Sequence, residues 1–274
     1  MGKADLHMHS TISDCILTPQ MIITLHRKRN RDYMEHNKGL KWRDVIAITD
    51  HDEIKGAQEA AEIVYKSTKW KSIDPIVLVG EEVTTLEGHV LAINIKERIP
   101  PRMSAEETIA AIHEQNGFAI AAHPYTIAHY FLKRQKGLLG VGKLIYELPF
   151  DGVEVINANI TEKIPNLWLK YVLNNNNFAL LGNSDAHFST AFTANSDFEG
   201  ETAQDLFKAI RNKSTTPQGR TYSWFDMARG YKEHQEILKI CERVEGVTLP
   251  NADIWQRAMN PVLFNLLQYT SKLY

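Results

Sequence analysis

The feature that most constrains this chain is a repeated segment: a short apolar run, rich in β-branched residues, bordered by polar or ionisable groups. It occurs as ADLHMHS, DVIAITD, PIVLVGE, HVLAINI, FAIAAHP, GVEVINA and FALLGNSD. Such runs read as buried strands, and segments of helical period separate them. TPQMIITLHRK has Thr18 as N-cap and Pro19 at the first helical position, and SAEETIAAIHEQNG opens with a Ser104/Glu107 capping box. Gly117 is expected to close that second helix in the left-handed conformation. Further helices are expected in KGAQEAAEIVYKS, PNLWLKYVLNN and TAQDLFKAIRN. This alternation predicts an α/β fold of parallel strands joined by right-handed crossovers, as an open sheet or a barrel.

The polar stretch RNRDYMEHNKGLKW is expected to be a long loop before the second strand. After about residue 221 the strand rhythm stops, which predicts a barrel domain over 1–220 and a helical extension over 221–274. A chain of 274 residues with a formal net charge of −2 can bury one sizeable core and carry a small appendage. Without a basic excess, bulk nucleic-acid binding is not expected, so any nucleotide partner has to be recognised locally. No apolar stretch is long enough to span a bilayer and no apolar leader follows Met1, so a cytoplasmic location is expected. Cys15 and Cys241 are too few for a disulfide framework, and Cys15 is expected to pack as a small neutral hydrophobe.

In an extended strand, side chains two apart share a face, so Asp5, His7 and His9 are expected on one side and Leu6 and Met8 on the other. His7 and His9 can then chelate one ion. An H-x-H pair alone is weak evidence, but ligand-type residues recur at other strand ends: His51, Glu82, His89, His123, Asp185 and His187. Imidazole and carboxylate donors suit Zn, Mn or Fe, and one carboxylate can bridge two ions. Burying so many ionisable groups without a compensating ion would be costly. The C-terminal ends of barrel strands are also where parallel barrels build active sites, which favours the barrel over the open sheet.

In chain order, DLHMHSTISD, AITDHD, GEE with GHVLAI, AAHP and GNSDAH resemble the successive motifs of the PHP (polymerase and histidinol phosphatase) metal-dependent phosphoesterases, over roughly the first 190 residues. The resemblance implies a distorted seven-stranded (β/α) barrel with two or three divalent ions, Mn, Zn or Fe, at its C-terminal face. It implies that His7, His9, Glu82 and Asp185 hold the first ion, Glu82, His89 and His123 the second, and Asp14, His51 and His187 the third. His7, His9, Glu82, Asp185 and His187 would carry catalysis, the hydrolysis of a phosphate ester by a metal-bound hydroxide. The expected substrate is a small phosphorylated molecule, a nucleotide or a short oligonucleotide, with no membrane and no stable protein partner. Two departures stand out: Cys15 follows Asp14 where many relatives have glycine, and one helix alone separates GHVLAINI from AAHPY.

Beyond this set, His129 is a candidate proton donor or substrate contact, and Lys133 and Arg134 are candidate phosphate contacts. His26, His36, His113 and His234 are expected to have surface or packing roles. Asp5, Asp50 and Asp52 would either orient ligand imidazoles or serve as turn and strand-end polarity. Glu154 and Asn157 are expected to line the pocket without touching metal. Two rival functions remain open at this level: an amidohydrolase-type C–N hydrolase, which also uses an H-x-H strand and a late aspartate, and a metal-stabilised binding domain without catalysis.

Overall fold

The computed structural model describes residues 1–126, 139–173 and 178–241. His129, Lys133 and Arg134 lie outside the described residues, as does the extension beyond 241. The described elements, in chain order, are β1 (Gly2–Asp5), α1 (Pro19–His36), β2 (Val45–Ile48), α2 (Lys55–Lys66), β3 (Ile76–Thr84), β4 (His89–Ile93), α3 (Ala105–Glu114) and β5 (Phe118–Ala121). They continue with β6 (Gly152–Asn157), α4 (Lys163–Val172), β7 (Ala179–Asn183), β8 (Ala194–Phe198), α5 (Ala203–Arg211), β9 (Thr216–Gly219) and α6 (Trp224–Ile240).

One sheet holds all nine of these strands in the order β7-β6-β5-β4-β3-β2-β1-β8-β9. It curls into a nearly closed barrel: Met8, just past β1, bridges Ala186, just past β7, in parallel. The barrel is therefore built from β1 to β7, as expected. The strand count is nine because β8 pairs antiparallel with the first residues of β1 and β9 pairs with β8.

The all-parallel expectation fails at β4, which runs antiparallel to both β3 and β5. Only residues 85–88 join β3 to β4, and a parallel crossover needs a dozen or more. The expected loop over 29–42 is also corrected. Helix α1 keeps its hydrogen-bonded turns through His36, 18 residues in all, and the chain reverses only at Lys38 and Gly39, which take positive φ. Charged and polar residues had masked a helix whose outer face is simply solvated.

The predicted start signals are in place: Thr18 Oγ1 accepts from Met21 N at 3.2 Å, and Ser104 and Glu107 form the reciprocal box. The end of α3 differs. Asn116, at φ +59°, is the left-handed residue, while Gly117 N donates to Ile112 O one position on. This is a Schellman closure with asparagine in the special position, since its side chain tolerates that conformation.

Helices α1 and α2 cover Ile46 and Ile48 on the outside of the barrel, in a cluster that also takes in Met8, Cys15, Ile237 and Cys241. Cys15 and Cys241 are free and buried, so the packing role expected of Cys15 is the one found. Ala4 and Leu6 join residues of β2 to β5 and β7 in a second cluster, sealed by Leu206 and Ile210 of α5. Burial of one such leucine or isoleucine side chain contributes about 1.5–3 kcal/mol. Helix α6 lies against α1, where Arg29 Nη2 meets Glu233 Oε2 at 2.8 Å. Among the described residues no helix is long and apolar enough to cross a membrane.

Candidate metal centre

Strand β1 stops at Asp5, so the strict alternation read from the sequence stops with it. Leu6 and Met8, two residues apart, enter different clusters, and His7 and His9 lie in the extended segment beyond the strand. Both imidazoles still reach one point. His7 Nε2 and His9 Nε2 lie 3.2 Å apart, and each faces Glu82 Oε2 at 3.3 Å. Asp185 Oδ1 is 3.4 Å from His7 Nε2 and 3.2 Å from His9 Nε2.

These five separations form two nearly equilateral triangles of donor atoms that share the His7–His9 edge, one closed by Glu82 and the other by Asp185. Donors held about 2.0–2.1 Å from a common ion in tetrahedral coordination stand about 3.3–3.4 Å apart, so each triangle has the edge length that ligands of a first-row divalent metal take. All four residues are buried. Burial alone would raise Glu82 and Asp185, yet the facing imidazoles hold both carboxyls well below their ordinary range. Two imidazole nitrogens flanked by two carboxylate oxygens in one buried cluster are the chemistry of a cation site.

The other oxygen of Glu82 serves a second group. Oε1 lies 2.7 Å from His89 Nδ1 and 2.9 Å from His123 Nε2. One carboxylate thus faces His7 and His9 with Oε2 and the His89/His123 pair with Oε1, the geometry a bridging ligand needs. Backbone pairing fixes it there: Glu82 N donates to Asp50 O and Asp52 N donates to Glu82 O, flanking a bridge between His51 and Glu82.

The third expected group is looser. Asp14 is half-exposed; its Oδ1 lies 3.3 Å from His187 Nε2 and its Oδ2 lies 3.7 Å from His51 Nε2. His51 also points Nδ1 at Glu82 Oε2, 3.2 Å away. The tight three-residue groupings containing Asp14 or His51 draw in His9: His9, Asp14 and His187 in one, His9, His51 and Glu82 in the other. The structure thus brings all nine expected ligand positions into one continuous cluster at the strand ends.

Behind the cage, the decisive carboxylate is Glu154. Its Oε1 accepts from His7 Nδ1 at 2.9 Å and Asn183 Nδ2 at 2.8 Å, and its Oε2 accepts from His123 N at 2.8 Å and Asn157 Nδ2 at 3.2 Å. The bond to Nδ1 fixes the His7 tautomer with its Nε2 lone pair toward the cage. Asn157 Nδ2 also reaches Asp185 Oδ2 at 3.2 Å. None of Asp5, Asp50 and Asp52 meets a ligand imidazole directly; Asp50 reaches one at second hand, through Ser13 Oγ, which lies 2.7 Å from Asp50 Oδ1 and 3.4 Å from His9 Nδ1. Asp5 accepts from Ser184 N, Asp50 from Ser10 N, Ser10 Oγ and Ser13 Oγ, and Asp52 from Thr84 N. They tie loops together; Asp50 in particular holds the turn that presents Asp14.

The backbone carries part of the aim. His123 and Asp185 both adopt positive φ, +27° and +48°, which costs a residue with a Cβ of order 1–3 kcal/mol and is characteristic of sites where geometry is imposed. Of the remaining histidines, His26 is buried, with Nδ1 donating to Ile22 O, and burial pushes it down to about 3. His234 is also buried and pushed down to about 4 by burial. His113 pairs with Asp151 on the surface.

No family model matches the chain. Its fold is similar to that of a two-domain protein from Bacteroides vulgatus containing a predicted PHP-like metal-dependent phosphoesterase, with a TM-score of 0.55 and 19% identity. The match covers 80% of this chain and 64% of that one, so this chain spans less than two thirds of it. The fold is therefore the PHP-like barrel. In sequence, the chain is 34% identical over 175 residues to the uncharacterized protein MJ1587 of Methanocaldococcus jannaschii, covering 60% of this chain and 86% of that protein, and it belongs to the same family. It is also 30% identical over 122 residues to a 5'-3' exoribonuclease of Haemophilus influenzae, covering 43% of this chain and 38% of that enzyme.

Proposed function

We propose that this chain is a metal-dependent phosphoesterase that hydrolyses a nucleotide or oligonucleotide phosphate ester. The observation that carries the reading is the buried cluster of His7, His9, Glu82 and Asp185, with five donor–donor separations of 3.2–3.4 Å, joined through the second oxygen of Glu82 to His89 and His123. In this reading those residues hold two divalent ions of the Zn, Mn or Fe type, and Asp14, His51 and His187 hold a third. Bound ions of this class lower the pKa of water and neutralise charge on phosphoryl oxygens.

The chain's own residues do the rest. Glu154 holds His7 in the tautomer that leaves Nε2 free, and Asn157 steadies Asp185. Asp14, at the open side of the cluster, keeps His51 and His187 within reach of an entering phosphate. A carboxylate with two imidazoles beside a complete inner pair supports phosphate chemistry over C–N hydrolysis, which has no use for a third position. The fold shared with a PHP-like protein and the partial match to an exoribonuclease support the substrate class.

The test is elemental analysis of the purified protein together with a hydrolysis screen over phosphomonoesters, nucleoside bisphosphates, diesters and short oligonucleotides. Two to three transition-metal ions per chain and chelator-sensitive phosphate release are expected. Reconstituted protein that holds at most one ion, or that cleaves amides and no phosphate ester, would refute the reading.

A further inference from the structure

Helix α4 turns its apolar stripe outward. Ile164, Leu167, Trp168 and Tyr171 recur at the spacing of one helical face, yet all are exposed, Trp168 at 44% and Tyr171 at 80%. The face packed on the barrel is instead Pro165, Asn166 and Leu169. A stripe of this kind on an otherwise solvated protein marks a surface that binds something.

The stripe adjoins the metal centre and is rigidly tied to it. Trp168 packs edge-on against Tyr125, ring centroids 4.4 Å apart. Tyr125 is two residues from His123, a span of at most about 7 Å. Thr126 Oγ1 donates to Glu162 at the start of α4. Asn166 makes a reciprocal pair with the backbone of Asn157, accepting at 3.1 Å and donating at 2.7 Å. The helix is thus pinned to both segments that carry His123 and Asn157.

Charge narrows the ligand. Helix α4 carries Lys163 and Lys170, seven residues apart along one edge of the stripe, and no acidic side chain. Lys143 and the exposed Tyr146 lie in a short helical turn over Gly142–Tyr146, where Glu147 is the acidic neighbour. None of these three lysines has an ion-pair partner among the described residues. Exposed aromatic faces interleaved with unpaired cations suit stacked bases on a phosphate backbone.

We propose that Trp168, Tyr171 and the neighbouring Tyr125 and Tyr146 form a base-stacking platform for single-stranded nucleic acid, with Lys143, Lys163 and Lys170 facing its phosphates. The proposal rests on the phosphoesterase reading for the fate of the strand, and it names that substrate as a strand gripped by its bases beyond the scissile phosphate. It is also compatible with the near-neutral net charge, because the recognition is local.

The test uses the full chain as purified and a fluorescein-labelled eight-nucleotide phosphorothioate DNA, which resists hydrolysis, followed by anisotropy, with the mononucleotide as competitor. The unmodified protein should bind the eight-mer more tightly than the mononucleotide. Trp168→Ala and Tyr171→Ala should each weaken the eight-mer by about tenfold and shrink that length advantage, and Tyr171→Ala, at the more exposed position, should do so with the thermal midpoint unchanged. Lys163→Gln with Lys170→Gln should flatten the salt dependence of binding. Unchanged eight-mer affinity in Trp168→Ala would overturn the proposal. So would sedimentation showing a dimer that Tyr171→Ala dissociates, because the stripe would then be a subunit contact. Trp168-dependent binding without turnover of any phosphate ester would overturn the hydrolysis reading and leave the platform supported.

Discussion

The floor and the rim of the metal centre are built on different physical terms. On the floor, His7, His9, Glu82 and Asp185 are buried, both imidazoles stand 3.2–3.4 Å from each other and from each carboxylate, and Glu154 and Asn157 brace them from behind. At the rim, Asp14 is half-exposed, its contacts to His187 and His51 are 3.3 and 3.7 Å, and its loop is steadied by Asp50 through two serines. A floor fixed before any ligand arrives can hold ions tightly. A rim exposed to solvent is suited to a position that exchanges with substrate, because little reorganisation is required there.

The harshest way to break this contrast is Glu82→Gln. The substitution removes one charge from two groups at once, so both floor ions should be weakened and turnover should fall on the order of a thousandfold. Metal content and steady-state kinetics check it, and retention of both ions at full occupancy would contradict the bridging geometry. Next comes Asp14→Ala, which should leave about two ions in place yet cost on the order of a hundredfold in rate. If metal content collapses as it does for Glu82→Gln, floor and rim are one unit and the contrast fails.

Glu154→Gln sharpens the contrast from behind. It leaves every donor atom in place but weakens the grip on the His7 tautomer, so metal affinity should drop about 10- to 100-fold, with rate recovering as metal is added. A loss that saturating metal does not restore would assign Glu154 to the reaction itself. The mildest change is Gly56→Ala. An added Cβ there would collide with the Asp50 carboxylate and press on Ser10, shifting the turn that carries Asp14. The expected loss is about fivefold, short of the hundredfold that a full 1 Å misplacement can cost, with the floor ions still bound; titration of bound metal alongside kinetics reads both.

Much of the floor is legible in the sequence because buried strands advertise themselves and their ends carry unlike residues. His7 and His9 were identifiable as a pair, and His51, Glu82, His123 and Asp185 as strand-end groups. Glu154 was not assigned its role, because a strand such as GVEVIN shows a carboxylate among apolar neighbours but not which imidazole it meets. That depends on the register with β7, where a shift between Glu154 and Ile156 lets Glu154 and Asn157 reach the same site. The reversal of β4 is hidden for a related reason: strand direction follows from the length of a connection, and in sequence the four residues 85–88 mark a boundary between two strands without showing that it is a hairpin. Helix α1 outran its prediction because solvated polar residues leave no apolar stripe to read.

The closure of the barrel also sets an order of events. Leu6 N donates to Asn183 Oδ1 and Ser184 N donates to Asp5 Oδ1, contacts that join segments 177 and 179 residues apart. At a synthesis rate of about 5–20 residues per second, β1 is made roughly 10 to 35 s before the segment carrying Asp185. During that interval the nascent strand offers metal only two imidazoles, a weak and unselective grip. Asp185 completes the cage in the same step that seats the strand, so high metal affinity and a finished barrel arrive together, and ion retention becomes a readout of whether the last long-range pairing has formed.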